Sequence, residues 1–165
     1  IAHFEEKQNS TRNLNENIAV TIYADGYVKV YRPSYYQKSG TFSGHLDQIS
    51  LNQLWNQLTT QSLLNFNEAE IQHRLKIAKN KQNESAISLQ RVSDAPTTII
   101  EIYPNRYMPS NNIDQGDWNT KKQITWYALQ WTAENFPELE ELHEFVEIRT
   151  LFENILENSE LKPLN

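Results

Sequence analysis

The chain has 165 residues, carries a formal net charge of -6 and lacks cysteine. This length is typical of one domain that buries a sizeable core, so folding requires neither disulfides nor a structural metal, and cysteine chemistry is excluded. An acidic chain without a dense stripe of Lys and Arg argues against nucleic acid as a partner, and the apolar runs are too short for insertion into a membrane.

Residues 1–17 are polar, rich in Asn, Gln and Glu, and lack helical or strand periodicity. They predict a flexible lead-in, which suits a tether to an anchor and a frayed terminus equally well. The first residue is Ile1 rather than methionine, as after removal of an export signal or after trimming of the chain. We therefore expect a single α+β domain over residues 18–165 and an extracytoplasmic location, in the periplasm or cell envelope.

A β-hairpin is predicted over Ile18–Tyr23 and Tyr27–Arg32, with Gly26 taking a positive φ in the turn. The length of the turn decides which side chains share a face. A two-residue turn would mix aliphatic and polar residues on each face of the hairpin. A three-residue turn pairs Ile22 with Val28 and places the aliphatic residues together on one face. We therefore predict the three-residue turn, and with it a core-facing set of Val20, Ile22, Val28 and Val30.

The segment after this hairpin is a candidate binding loop. Pro33 ends the strand, and residues 34–39 form a loop that carries Tyr35 and Tyr36. Successive side chains of an extended segment diverge, so at least one of the two rings should be accessible. Tyrosine gives rigid amphipathic contact area that is favoured at interfaces. The predicted binding residues are Tyr35, Tyr36, Tyr27 and Tyr31.

The alternative for these tyrosines is a structural role. Later helices could cover the tyrosine face of the hairpin, because a sheet often packs on both sides. In that case the rings of the cluster would belong to the core, namely Tyr23, Tyr27, Tyr31, Tyr35 and Tyr36. The sequence leaves both interpretations open.

A strand over residues 40–46 and two helices are predicted next. Ser50 and Gln53 form a capping-box pattern at the start of the first helix. Asn67 with Glu70 marks the start of the second, which ends in a polar run. The spacing of apolar residues indicates that the first helix packs on the sheet and that the second has one apolar stripe.

The second half of the chain predicts two strands, a loop and two helices. The strands lie around Ile87–Leu89 and over Thr97–Tyr103, and the polar segment Met108–Asn119 is predicted to be the longest loop. One helix is expected from Thr120 to Asn135 and another from Pro137. The last helix is predicted to have a long apolar stripe, which follows Leu139, Leu142, Phe145 or Val146, Arg149, Phe152 and Ile155. The predicted fold is α+β, with a small antiparallel sheet of about five strands packed against helices.

Four local motifs follow one another within residues 18–103: a turn at Asp25-Gly26, the segment Gly40–Gly44, a helix that begins at Ser50, and an Asp-x-Pro-Thr loop at residues 94–97. In this order they resemble a group of uncharacterised bacterial envelope domains. The resemblance implies an α+β fold and a periplasmic or lipoprotein setting, and it implies no activity. The acidic helices from Thr120 onward lie outside the pattern.

Catalytic and metal-binding patterns are incomplete. His143 and Glu147 lie one turn apart and begin like a zinc-protease motif, but its second histidine is absent, and a third ligand would have to come from His73 or His45. We therefore predict no metal and no cofactor. Glycoside hydrolysis needs two converging carboxylates. Candidates for these are Asp47, Asp94, Glu101, Asp114 and Asp117.

The preferred interpretation is a non-catalytic interaction domain of the bacterial cell envelope that binds a protein or a glycan. One alternative is a small hydrolase that uses dispersed carboxylates. Another is a structural subunit of an assembly, in which the acidic final helix docks on a basic partner. A pocket with two facing carboxylates would favour the hydrolase, and an exposed aromatic patch would favour binding. The oligomeric state is not determined by the sequence.

Overall fold

The computed structural model describes residues 1–8, 17–82, 94–107 and 120–165. In these ranges seven strands form one sheet, and five helices pack against it. The strands are β1 Ala2–Lys7, β2 Ile18–Ile22, β3 Tyr27–Arg32, β4 Gly40–His45, β5 Thr97–Ile102, β6 Lys122–Tyr127 and β7 Lys162–Pro163. The helices are α1 Gln48–Leu58, α2 Gln61–Leu64, α3 Glu68–Gln82, α4 Leu129–Asn135 and α5 Glu140–Leu156, and Pro104–Arg106 form one 3-10 turn.

The sheet is antiparallel at every pairing and has the strand order β6-β5-β1-β2-β3-β4-β7. Strand side chains alternate between a buried face, which forms one core with the helices, and an outer face. The predicted α+β class is therefore confirmed. The number of strands, predicted as about five, is corrected to seven within the described residues.

The hairpin has the register that the sequence predicts. Ile22 lies opposite Val28 and Val20 lies opposite Val30, and all four side chains are at most 1% exposed. Gly26 has a φ of 86°. Its amide donates to the carbonyl of Tyr23 over 3.1 Å, which closes the three-residue turn.

The first strand corrects the prediction of a flexible lead-in for the beginning of residues 1–17. Residues Ala2–Lys7 form β1, which lies in the middle of the sheet between β2 and β5. Ala2, Phe4 and Glu6 face the core, and the residues between them face outward. The alternation of apolar and polar residues that predicts a strand is hard to recognise here, because the third inward-facing residue of β1 is Glu6.

A second correction concerns residues 120–135, which were predicted to form one helix. Lys122–Tyr127 instead form β6, with Ile124 opposite Ile100 of β5. Ala128 then takes a positive φ of 53°, and α4 begins at the next residue. Pairing with β5 decides the conformation here, since a run of six residues is too short for its own periodicity to do so. The two final helices, α4 and α5, are both present.

Helix caps agree with the sequence in one case and not in the other. The side chain of Asn67 accepts from the amide of Glu70 over 3.2 Å, as predicted. In α1 the capping residue is Asp47 rather than Ser50, because the Asp47 carboxylate accepts from the Ser50 amide over 2.8 Å. The predicted strand at Ile87–Leu89 and the predicted loop Met108–Asn119 lie outside the described residues.

Helix α5 is the main cover of the sheet. Its Phe152 ring stacks on Phe4 of the central strand with 5.0 Å between centroids. Its Phe145 ring meets Phe66, which also contacts Trp126 of β6. Burying such rings contributes roughly 2 kcal/mol each, so these contacts fix α5 across the strands.

Candidate functional site

The loop between β3 and β4 presents two neighbouring tyrosine rings. The centroids of Tyr35 and Tyr36 are 5.2 Å apart, and the planes are tilted by 40°. Tyr35 is 51% exposed, whereas Tyr36 is partly buried and packs against the core. The loop turns because the amide of Tyr36 donates to the carbonyl of Pro33 over 3.0 Å. One ring is thus accessible and the other is anchored.

A cleft of about 530 Å³ lies between this loop, the central strand β1 and the C-terminal half of α5. We call it the tyrosine cleft. Its volume lies within the range of small-ligand sites in proteins. It is lined by Phe4, Glu6, Gln8, Ile18, Tyr35, Tyr36, Arg149, Glu153, Asn154, Leu156 and Glu157.

An ion-pair network lies along one side of the tyrosine cleft. Nε of Arg149 is 2.8 Å from Oε2 of Glu6, and Nη2 of Arg149 is 3.2 Å from Oε1 of the same carboxylate. Nη2 is also 3.0 Å from Oε1 of Glu153, one turn along α5. The Thr98 hydroxyl donates to Glu6 over 3.4 Å. Glu6 is buried, and these partners satisfy the hydrogen-bonding capacity of its carboxylate.

The charges around the cleft shift two pKa values. Burial raises the pKa of the Tyr36 hydroxyl, and the neighbouring Tyr35, Glu157, Glu6 and Glu153 raise it further. Burial by itself would lower the pKa of the Arg149 guanidinium, but the hydrogen bond and negative charge of Glu6, together with the charges of Glu153 and Tyr36, outweigh burial and raise it. The guanidinium therefore stays charged, and the cleft has a negative potential at Tyr36.

A second cavity of about 520 Å³ adjoins the tyrosine cleft and shares Tyr36 and Glu157 with it. Arg32 lies on its wall and is buried. Its Nε and Nη2 donate to the carbonyl of Leu156 over 2.8 and 2.6 Å, and Nη2 also donates to the carbonyl of Asn158. The cation thus satisfies carbonyls at the C-terminus of α5 and holds this end against β3.

The other two predicted tyrosines lie on the outer face of the sheet. Tyr31 is 38% exposed and stands opposite Thr41. Tyr27, at the other end of β3, contacts Tyr23 and His45 with 5.6 Å between centroids in both cases. The structure therefore brings Tyr35 and Tyr36 together but does not place Tyr27 and Tyr31 with them.

The helices pack on the aliphatic face of the hairpin, not on its tyrosine face. Among the described strands β1 to β6, no outward-facing side chain is buried. The inward-facing side chains Val20 and Val30 are fully buried with Phe152 of α5 in the same core. Tyr27 and Tyr31 are consequently surface residues, and the structural interpretation of these two rings is wrong.

The candidate hydrolytic carboxylates have separate structural partners. Asp47 caps α1, and Glu101 contacts Lys121 over 3.4 Å. Asp94 is exposed, and Asp114 and Asp117 lie outside the described residues. The structure does not bring the described members of this set together in one of its clefts.

The histidine pattern on α5 has a different environment from that of a metal site. His143 is exposed, and the adjacent Glu144 accepts hydrogen bonds from the hydroxyls of Thr60 and Ser62. Glu144 therefore joins α5 to the short helix α2. Within the ranges that the structure describes, three or more His, Asp or Glu side chains do not gather as a metal site would require.

Sequence reasoning missed the charged side of the tyrosine cleft. Glu6 falls within the predicted flexible lead-in, and its partner Arg149 is 143 residues away. One signal was present, since Arg149 falls within the apolar stripe predicted for α5. A charged residue at a core position predicts a buried partner of opposite charge, although not which one.

Comparison of the chain with protein-family models, with curated proteins and with solved structures found no match. The geometry of the tyrosine cleft is therefore the basis for a functional assignment. Among the helices that the structure describes, none has the length and apolar character that crossing a bilayer requires.

Proposed function

We propose that this chain is a non-catalytic interaction domain that binds a protein or a glycan in the tyrosine cleft. The observation that carries the proposal is the exposed Tyr35 ring beside the anchored Tyr36 ring, next to a cleft of about 530 Å³. Exposed aromatic rings beside a cavity with polar groups are typical of recognition sites.

The rings are preorganised for binding. Tyr36 packs against the core, and the Pro33 carbonyl fixes the turn that carries it. A ligand that contacts the two rings therefore orders little of the protein, and less binding free energy is lost to immobilising side chains. This favours Tyr35 and Tyr36 over Tyr27 and Tyr31 as the anchors.

A binding role suits the cleft better than hydrolysis does. A general acid is typically a carboxyl kept protonated near neutral pH by an apolar environment. Glu6 and Glu153, by contrast, both contact the guanidinium of Arg149. That arrangement is typical of a structural ion-pair network, which holds the wall of the cleft in place.

The experiment is a ¹⁵N NMR titration of the chain with a panel of short peptides and soluble oligosaccharides. We expect ligands to shift the amides of Tyr35 and Tyr36 and of the facing Glu153. Tyr35→Ala combined with Tyr36→Ala should abolish these shifts. The single variant Tyr35→Ala tests the same site in a folded domain, because removal of an exposed ring should not unfold the chain. Tyr31→Ala, on the outer face, is the matched control. Shifts confined to the outer face, or unchanged affinity in the double variant, would contradict the proposal.

The setting that we propose is the bacterial cell envelope, as a periplasmic domain or lipoprotein. Its support is the resemblance of residues 18–103 to envelope domains. Fractionation of cells that express the protein from its own gene tests this proposal. Recovery of the protein with the cytosolic fraction would contradict it.

A further inference from the structure

We infer that the tyrosine cleft takes a cationic group, namely a lysine or arginine side chain presented by a partner protein. The inference rests on the proposed function, because it names the chemistry of the ligand at the same site. It is carried by the balance of charge along the cleft, by the two rings, and by the positions of the neighbouring cations.

The residues lining the cleft have an excess of negative charge. Among the described residues that line the cleft, three carboxylates, Glu6, Glu153 and Glu157, stand against the single guanidinium of Arg149, which gives these residues a formal charge of -2. Arg149 contacts Glu6 and Glu153, whereas Glu157 forms no ion pair within the described residues. A cationic ligand would be attracted by this potential, and a phosphate or carboxylate ligand would be repelled.

The tyrosines supply a surface on which the cationic group of the ligand can lie. A cation over the face of an aromatic ring is stabilised by the ring quadrupole, and two adjacent rings offer two such faces. Tyr35 and Tyr36 are adjacent and tilted, and they line the cleft together with Glu157. The pKa of Tyr36 is raised in part by the carboxylates of Glu157, Glu6 and Glu153, so their negative field reaches the ring.

Arg32 and Lys38, the described cations of the adjoining cavity, form no ion pair with Glu157. Arg32 is bound to the carbonyls of Leu156 and Asn158 at the end of α5. Lys38 is exposed and lines the adjoining cavity rather than the tyrosine cleft. A neutral sugar would bind without using the charge of Glu157, so the charge pattern favours a cation over a glycan.

The shape of the site favours a side chain of a protein over a free amine. The adjoining cavity of about 520 Å³ shares Tyr36 and Glu157 with the tyrosine cleft. This leaves room for the polypeptide beside the inserted residue. Lysine and arginine also bring an apolar stem that can lie along the exposed Tyr35 ring.

The test titrates the ¹⁵N-labelled chain with three blocked tripeptides, whose central residue is lysine, glutamine or glutamate, and with methyl glucoside, each up to about 10 mM. We expect the lysine tripeptide to shift the amides of Tyr35, Tyr36 and Glu157 and to bind about tenfold more tightly than the other probes. Glu157→Gln should weaken its binding about fivefold. Glu147→Gln makes the same change of net charge at an exposed position of α5 outside the cleft, and it should change binding less than about twofold.

Each other outcome overturns the inference. If the glutamine tripeptide or methyl glucoside shifts the same amides as strongly, the cation assignment is wrong while the cleft remains the binding site. If shifts appear only around Tyr27 and Tyr31, both the inference and the proposed function are wrong. If the two glutamate variants weaken binding equally, the effect is one of net charge and the assignment to this cleft fails. Absence of any shift with the lysine tripeptide also overturns the inference.

Discussion

The guanidinium of Arg149 on helix α5 forms two hydrogen bonds with the buried carboxylate of Glu6 on strand β1. Nε of Arg149 is 2.8 Å from Oε2 of Glu6, and Nη2 is 3.2 Å from Oε1. The pair joins two elements that are far apart in sequence, and it forms one side of the tyrosine cleft. Stability and the shape of the candidate site therefore depend on the same contact.

Arg149→Met should destabilise the fold by about 3 kcal/mol, because it leaves the Glu6 carboxylate buried without its cation. Urea denaturation measures the loss. Arg74→Met is the matched control, since Arg74 pairs with Glu141 at the surface and its loss should cost about 1 kcal/mol or less.

The double variant Glu6→Gln with Arg149→Met sharpens this prediction. It should be more stable than Arg149→Met alone, because neither charge is then left without a partner. Equal losses of stability for Arg149→Met and Arg74→Met would show that the Glu6 pair is no stronger than a surface ion pair.

Gly26→Ala should be more destabilising than Gly40→Ala by about 1 kcal/mol or more. Both glycines have positive φ, at 86° and 116°, so both variants introduce backbone strain. A Cβ on Gly26 would lie 2.6 Å from the carbonyl oxygen of Leu46, whereas one on Gly40 meets nothing within 4 Å. Urea denaturation of the two variants isolates the clash, and equal losses would contradict the turn geometry.

Alkaline pH should destabilise the chain in part through Tyr36. Its pKa is raised in the fold, first by burial and then by neighbouring negative charges, so the folded state resists ionisation more than the unfolded state does. Stability is unaffected by this group below about pH 10 and falls as the pH rises from there through the folded pKa. Tyr36→Phe should remove this part of the decline, as measured by denaturation at several pH values and by tyrosinate absorbance. An identical decline in the variant would contradict the assignment.

The hairpin could be predicted from sequence because all of its determinants are local. Gly26 provides the turn, and alternation of aliphatic and polar residues sets the register of Ile22 with Val28. At least one accessible ring was expected at Tyr35 and Tyr36, and Tyr35 is 51% exposed. The reason differs from the expected one, because the two residues lie in a turn with their rings in contact, not in an extended segment whose side chains diverge.

The first strand and the charged side of the cleft could not be predicted in the same way. Glu6 interrupts the apolar alternation of β1, and its burial depends on Arg149, which folding brings from 143 residues away. Residues 122–127 likewise become a strand because Ile100 of β5 pairs with Ile124. In each case a contact distant in sequence overrides the local pattern.

The central claim is that the binding site is the tyrosine cleft rather than the outer face of the sheet. One exposed tyrosine reports on each surface. Tyr35 lies at the cleft and is 51% exposed, and Tyr31 lies on the outer face and is 38% exposed. The deciding measurement is the dissociation constant of the lysine tripeptide for Tyr35→Ala and for Tyr31→Ala. We predict that Tyr35→Ala weakens binding about tenfold while Tyr31→Ala leaves it within about twofold of the parent. Weaker binding in Tyr31→Ala with unchanged binding in Tyr35→Ala would contradict the account.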